Sequence, residues 1–291
     1  MCIRDRLERH LKMKPSETSV SGIYIAGAIQ GPKDIPNSIS QAESAAAKAI
    51  ALISRGEIEL DPYIVRYIKE KCTLCRLCEN ICAFNAITIK ENQLYLTNAN
   101  CTGCGACAAM CPENALYIPG FKKEQFSSQL KSLLEKKSEY PLIVGFLCNW
   151  CAYAGADLAG TSKLTYPTNI RTLRVMCTAM IDPALVLEAF FQGADGVLIA
   201  GCYEQDCHYN TGFIKAKTRY ESIREILAEA GINEKRVRIE SISAGEGEKL
   251  ARIVKEFKEE LIRLGPLTPH EYERMVQVPE KMKESARLDE I

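Results

Sequence analysis

Apolar residues change their period along this chain, and each change marks a different kind of element. Between 140 and 264, strand-sized apolar runs at 142–147, 172–176, 197–200 and 237–242 alternate with stretches at 153–159, 183–191, 213–230 and 247–264 that carry apolar residues at helical spacing. That alternation predicts a parallel, doubly wound α/β sheet. Upstream, Phe126, Leu130, Leu133 and Leu134 share one helical face, so 123–137 reads as a helix lying on a neighbour, within a connector at 122–139. The 61–121 stretch has only short segments: outer strands at 63–68 and 115–118, and inner strands at 86–89 and 94–96 paired across a Glu91-Asn92 turn. Residues 7–60 hold one short apolar strand at 22–27, a loop to Pro36, and a helix through Ser54 capped by Asn37 or Ser38. Ser38 and Gln41 stand at capping-box spacing. One strand and one helix in about fifty residues cannot bury an adequate core, so 7–60 reads as the end of something larger. The expected class is α+β and α/β multidomain, with a polar, proline-punctuated tail at 265–291.

Charge narrows the partners. Lys+Arg and Asp+Glu number 37 each, leaving no basic excess to hold nucleic acid or an anionic membrane surface. The longest apolar runs, 141–148 and 196–202, fall far short of the ~20 residues of a membrane span. The charged start has no signal-peptide core, so a cytoplasmic location is expected, with no nucleic-acid or membrane partner. Residues 1–6 read as a translated adapter end from a sequencing library. Natural sequence is expected from about Leu7 onward, and the parent protein is expected to be longer.

Fourteen cysteines change the picture most, because they are grouped too tightly for a disulfide framework and suit metal ligation in a reducing compartment. Cys72, Cys75, Cys78 and Cys82 form C-x-x-C-x-x-C-x-x-x-C, and Cys101, Cys104, Cys107 and Cys111 repeat it with Pro112 behind. Two-residue gaps let a tight loop point three thiolates at one cubane, while the fourth reaches the other cube. One 4Fe–4S cluster is therefore assigned to Cys72, Cys75, Cys78 and Cys111, the second to Cys101, Cys104, Cys107 and Cys82. Gly103 and Gly105 allow the tight fold. Zinc also accepts C-x-x-C pairs, but eight cysteines in a repeated four-cysteine pattern favour cubanes. The stretch resembles bacterial-type two-cluster ferredoxins, departing from them at Ala83, where the first copy would carry proline.

Cys148, Cys151, Cys177, Cys202 and Cys207 lie farther on. Cys148, Cys177 and Cys202 each follow a predicted strand, and such positions converge at the carboxyl edge of an open parallel sheet. Five thiols exceed the four that a 2Fe–2S cluster needs; Cys148, Cys177, Cys202 and Cys207 are the favoured set, with Cys151 spare. A zinc site, a redox-active dithiol and plain buried thiols are the competing readings. His208 could replace a thiolate, though a structural loop histidine is the simpler reading, and Trp150 would shield the site.

Gly145-Phe-Leu-Cys-Asn-Trp-Cys-Ala-Tyr-Ala-Gly-Ala-Asp157, Arg174-Val-Met-Cys177, Gly193-Ala-Asp-Gly-Val-Leu-Ile-Ala-Gly-Cys202 and Asp206-Cys-His-Tyr209 are similar to the delta subunit of methyl-viologen-reducing hydrogenases. That resemblance implies a flavodoxin-like domain at 140–264 carrying one 2Fe–2S cluster. Gly22-Ile-Tyr-Ile-Ala-Gly27 followed by Gln30-Gly-Pro-Lys-Asp-Ile-Pro36 resembles the C-terminal end of the A subunit of heterodisulfide reductases. It implies the close of an FAD domain at 7–60, with Gly27, Ala28, Ile29 and Gln30 meeting a flavin held mostly by residues that lie before them. Together the resemblances imply a fusion that relays electrons from a hydrogenase or formate dehydrogenase to that flavin, with heterodisulfide reductase subunits B and C as partners in methanogenesis and electron bifurcation. His10, His208 and His270 are widely separated and no acid–base constellation is visible, so the fragment is expected to transfer electrons without catalysing a reaction. The alternative is a thiol–disulfide enzyme using Cys148/Cys151 and Cys202/Cys207.

Overall fold

The computed structural model describes residues 8, 15–18, 22–57, 63–135, 140–268 and 271. Two compact units fall within residues 1–62 with 97–100, and within 63–96 with 101–291. Residues 1–6, His10, His270 and nearly all of the tail lie outside the described residues, so the expectations about them are not addressed by the fold.

In the first unit the long element is helix α1, Ile35–Arg55. It starts earlier than the Asn37/Ser38 cap expected from sequence. Asp34 is the N-cap, its carboxylate accepting the Asn37 N–H at 2.8 Å, with Pro36 in the first turn where a missing N–H costs nothing. The capping box does not form: Gln41 instead accepts the Gly27 N–H at 2.8 Å through Oε1, and the Ser38 hydroxyl donates to the Asp34 carbonyl. Gly56 ends the helix at φ 67°. The expected strand at 22–27 is reduced to a bridge between Glu17 and Tyr24, followed by a 3₁₀ turn at Gly27–Ile29.

The second unit opens with a duplicated ferredoxin module. Its strands are β1 Arg66–Tyr67, β2 Ile87–Lys90, β3 Gln93–Leu96 and β4 Leu116–Tyr117, and its helices are α2 Leu77–Ile81 and α3 Ala106–Met110. β2 pairs antiparallel with β3, and β1 with β4, so each half lends a strand to the other. The β2–β3 turn lies where expected, with Glu91 at φ 48° and Asn92 at φ 59°, the left-handed pair that matches hairpin twist. The outer pair is shorter than the sequence implied.

Helix α4, Lys123–Leu134, buries Phe126, Leu130 and Leu134. It leads to a four-stranded parallel sheet of β5 Ile143–Cys148, β6 Ile170–Val175, β7 Gly196–Gly201 and β8 Val237–Ser241, in the order β6-β5-β7-β8. Helices α5 Ala152–Thr161 and α8 Gly247–Leu264 pack together on one face, and α6 Pro183–Phe191 and α7 Gly212–Glu229 on the other. β5 and β7 are buried along their whole length, as a doubly wound sheet requires. The ferredoxin module and the sheet share one core: Val65, Ile87, Leu94 and Leu116 belong to the same cluster as Phe126, Leu130, Phe146 and Leu185.

Candidate iron–sulfur sites

The two halves of the ferredoxin module repeat in backbone as well as in sequence. Leu74 and Arg76 sit at φ 58° and 63°, and their counterparts Gly103 and Gly105 at 72° and 77°. Asn85 and Asn114, each three residues past the last cysteine of its copy, take φ 51° and 50°. This left-handed residue precedes Ala86 and Ala115, whose N–H groups donate to Cys82 Sγ at 3.4 Å and Cys111 Sγ at 3.2 Å. Val65 N–H donates to Cys101 Sγ at 3.3 Å. Amides aimed at sulfur stabilise the thiolate and the charge of a ligated cluster.

Cys72, Cys75, Cys78 and Cys111 line one small pocket. The Cys78 thiol is pushed up to about 11 by burial and then by the neighbouring Cys111, Cys72 and Cys75. In the other half, burial pushes Cys104 up to about 11 and Cys107 well above the ordinary thiol range, and the sulfurs around both include Cys101 and Cys82. The cysteines thus gather in the crossed groups that the spacing predicts. Gly103 is indispensable there, because an added Cβ would lie 2.0 Å from the Tyr63 carbonyl oxygen. The buried hydroxyl of Thr102, between Cys101 and Gly103, has no partner among the described residues, which fits a donor to cluster sulfur.

At the sheet, Cys148 ends β5, Cys177 follows β6 and Cys202 follows β7, at the carboxyl edge where the strand order reverses. Cys148 and Cys202 sulfurs are 3.8 Å apart. Cys148, Cys151 and Cys202 form a group whose sulfurs all lie within 4.8 Å of one another, so Cys151 stands inside the tightest triple rather than apart as the spare. Cys207 contacts both Cys202 and Cys177, which makes one connected group of five. The hydrogen bond from Cys151, joined by one from Cys202, holds Cys148 as a thiolate near 3, while Cys151 keeps its proton to about 12. Cys177, and then Cys202, do the same for Cys207, which falls to about 2. Ala152, Ala179 and Phe213 N–H groups donate to Cys148, Cys177 and Cys207 at 3.4, 3.5 and 3.3 Å.

Two residues of this site were not foreseen from sequence. A Cβ on Gly212 would meet Cys177 Sγ at 2.3 Å and Cys207 Sγ at 3.2 Å, so the first residue of α7 must be glycine for the sulfurs to gather. Beside it, the buried Thr211 hydroxyl is unpartnered among the described residues. A Thr-Gly pair opening a helix just after Cys207 was the available signal. Trp150 donates from Nε1 to the Tyr209 hydroxyl at 2.9 Å and stacks on His208 at 3.9 Å. His208 belongs to an aromatic wall, stacked on Trp150 and edge-on to Tyr209.

Gly27, Ala28, Ile29 and Gln30 are brought together in the 3₁₀ turn. Gln30 Nε2 is tied to Glu8 Oε2 and the Pro15 carbonyl, both at 3.0 Å, and only its buried Oε1 lacks a partner among the described residues. Asp34 sets a carboxylate at the nearby helix N-terminus, where an anionic group would otherwise be favoured.

The fold and the grouped cysteines define an iron–sulfur protein in which a dicluster ferredoxin module is joined to an α/β module with a third cysteine site. Residues 71–115 match the 4Fe-4S dicluster domain, and residues 143–265 match the methyl-viologen-reducing hydrogenase delta subunit. The iron–sulfur D subunit of the F420-non-reducing hydrogenase vhc of Methanococcus voltae is 47% identical over 128 residues, which are 44% of this chain and 89% of that protein. Its counterpart from Archaeoglobus profundus is 43% identical over 126 residues, 43% of this chain and 92% of that protein. The chain therefore belongs to the hydrogenase delta-subunit family through its α/β module. It is also 44% identical over 258 residues to the A subunit of the ferredoxin:CoB-CoM heterodisulfide reductase of Methanosarcina mazei, a match spanning 89% of this chain and 32% of that protein. The chain thus spans about a third of the length of that relative, and the homology runs through both modules, as the fusion reading requires.

Proposed function

We propose that the chain is an electron-relay segment of a heterodisulfide reductase complex, passing electrons between a hydrogenase or formate dehydrogenase and an FAD held mainly by other parts of the reductase's A subunit. Iron–sulfur clusters supply one-electron carriers when bound. Eight cysteines of the ferredoxin module would hold two 4Fe–4S clusters, and the five at the edge of the flavodoxin-like sheet would hold one 2Fe–2S cluster. Subunits B and C, electron bifurcation and a cytoplasmic setting belong to the same reading; among the described residues no helix is long and apolar enough to cross a membrane. The observation that carries it is the placing of all thirteen described free cysteines in three groups within one compact unit that shares a core. A relay needs its sites close and rigidly held.

The low position of Cys148 beside Cys151 in a C-x-x-C favours the second reading, a thiol–disulfide enzyme. Burial argues against it. Cys148, Cys202 and Cys207 are at most 4% exposed, leaving a protein disulfide little access. Iron and alkylation counts on anaerobically purified protein decide. The relay predicts about ten iron atoms per chain and protected thiols. About eight iron atoms with five alkylatable thiols would overturn the role of the third site.

A further inference from the structure

Helix α7 projects two cations toward the ferredoxin module, from positions one turn apart on the same face. Arg219 is half-buried and donates to three carbonyls: Ala179, Ile181 at 3.4 Å, and Ala106 at 3.3 Å. Ala106 and Ala179 have a second role. The Ala106 N–H hydrogen-bonds Cys104, and the Ala179 N–H donates to Cys177 Sγ at 3.5 Å. One guanidinium therefore holds the carbonyls of the two residues whose own N–H groups touch a sulfur of the second cubane site and a sulfur of the sheet-edge site. Its charge is felt by Cys177, Cys104 and Cys107 together. The carboxylate it feels most, Asp182, is already engaged, capping α6 at the Leu185 N–H and pairing with Lys123 at 2.8 Å. Lys215 donates to the Ile81 carbonyl and acts on Cys104. The contact is close-packed: a Cβ on Gly105 would lie 2.4 Å from Met180 Cε.

We infer that Arg219 is a positioning and charge-setting residue that bridges the sheet-edge site to the Cys82/Cys101/Cys104/Cys107 site and raises the reduction potential of both. This deepens the relay reading and rests on it. No bond is made or broken: a fixed positive charge, poorly screened in its half-buried place, favours the site that has gained one electron. Lys215 does the same for the Cys104 side alone. The assignment also orders the sites, making the Cys82/Cys101/Cys104/Cys107 site the neighbour of the sheet edge.

The test is an EPR-monitored redox titration of the full chain, purified anaerobically. Arg219→Gln should lower both potentials by about 59 mV, a tenfold change in each one-electron equilibrium, and move the Cys72/Cys75/Cys78/Cys111 site less. Arg219→Lys should restore most of the shift. Lys215→Gln should lower only the Cys104-side potential. Unchanged potentials in Arg219→Gln at full iron content, or Arg219→Lys behaving like Arg219→Gln, would overturn the inference. Should Arg219→Gln not load iron, an unshifted Lys215→Gln overturns it and a selective shift supports it. A wild-type chain with only about eight iron atoms would defeat the relay reading itself, an outcome visible before any potential is read.

Discussion

At the scale of single residues, the sharpest constraints are at positions where a side chain is absent. Gly212→Ala should remove the sheet-edge iron and spare the ferredoxin module, because its new Cβ would lie 2.3 Å from Cys177 Sγ. The expected result is a fall from about ten to about eight iron atoms, measured by chemical analysis and the visible spectrum. The repeat gives a reciprocal test. Arg76 occupies a left-handed position that costs about 1–2 kcal/mol for a side chain, and its ion pair with Glu79 is exposed and adds little. Arg76→Gly should therefore keep full iron and lose it to a chelator no faster than wild type. Gly105→Ala, at the matching position, should release iron faster because Met180 blocks it. The ferredoxin cysteines were legible because their spacing groups them, and Cys148, Cys177 and Cys202 because each follows a strand, whereas Cys151, read as spare, stands in the tightest triple with Cys148 and Cys202. Gly212, Thr211 and Arg219 were not legible, since a glycine, a threonine or an arginine at the start or on the flank of a helix looks ordinary until the fold sets Gly212 against two sulfurs, buries the Thr211 hydroxyl and turns Arg219 onto backbone carbonyls.

Among the elements, the legible ones had local causes. The Glu91-Asn92 hairpin, helix α6 at Pro183–Phe191 and helix α8 at Gly247–Leu264 lie where turn chemistry or helical periodicity places them. The start of α1 misled because Ser38 and Gln41 imitate a capping box, while Asp34 with the following Ile-Pro does the capping. Strand 22–27 misled because an apolar run forms a strand only beside a partner, and among the described residues it has one bridge. The fusion of the two cores could not be read from period at all, because it depends on where the buried face of α4 lands. Leu130 is fully buried there. Leu130→Ala should cost about 2–5 kcal/mol, seen as a lower urea midpoint, and the ferredoxin and sheet modules should still unfold together because they share a core.

For the whole molecule, cluster loading is coupled to proton release. Burial pushes Cys78 and Cys104 up to about 11, so both hold their protons at neutral pH in the iron-free chain. Ligation requires the thiolates, and a raised thiol therefore opposes loading until the pH rises. After chelation of the iron, reconstitution at fixed iron and sulfide should give a higher cubane yield at pH 9 than at pH 7, read from the visible absorbance. Equal yields would show that these thiols do not limit assembly. The proposed relay rests on three groups of cysteines in one compact unit, and stepwise reduction followed by EPR tests most directly whether each holds a cluster. A 2Fe–2S signal should emerge beside the signals of the cubane pair, lost in Cys202→Ser while the cubane signals persist. A wild-type chain that shows full cubane signals and no third species would contradict it.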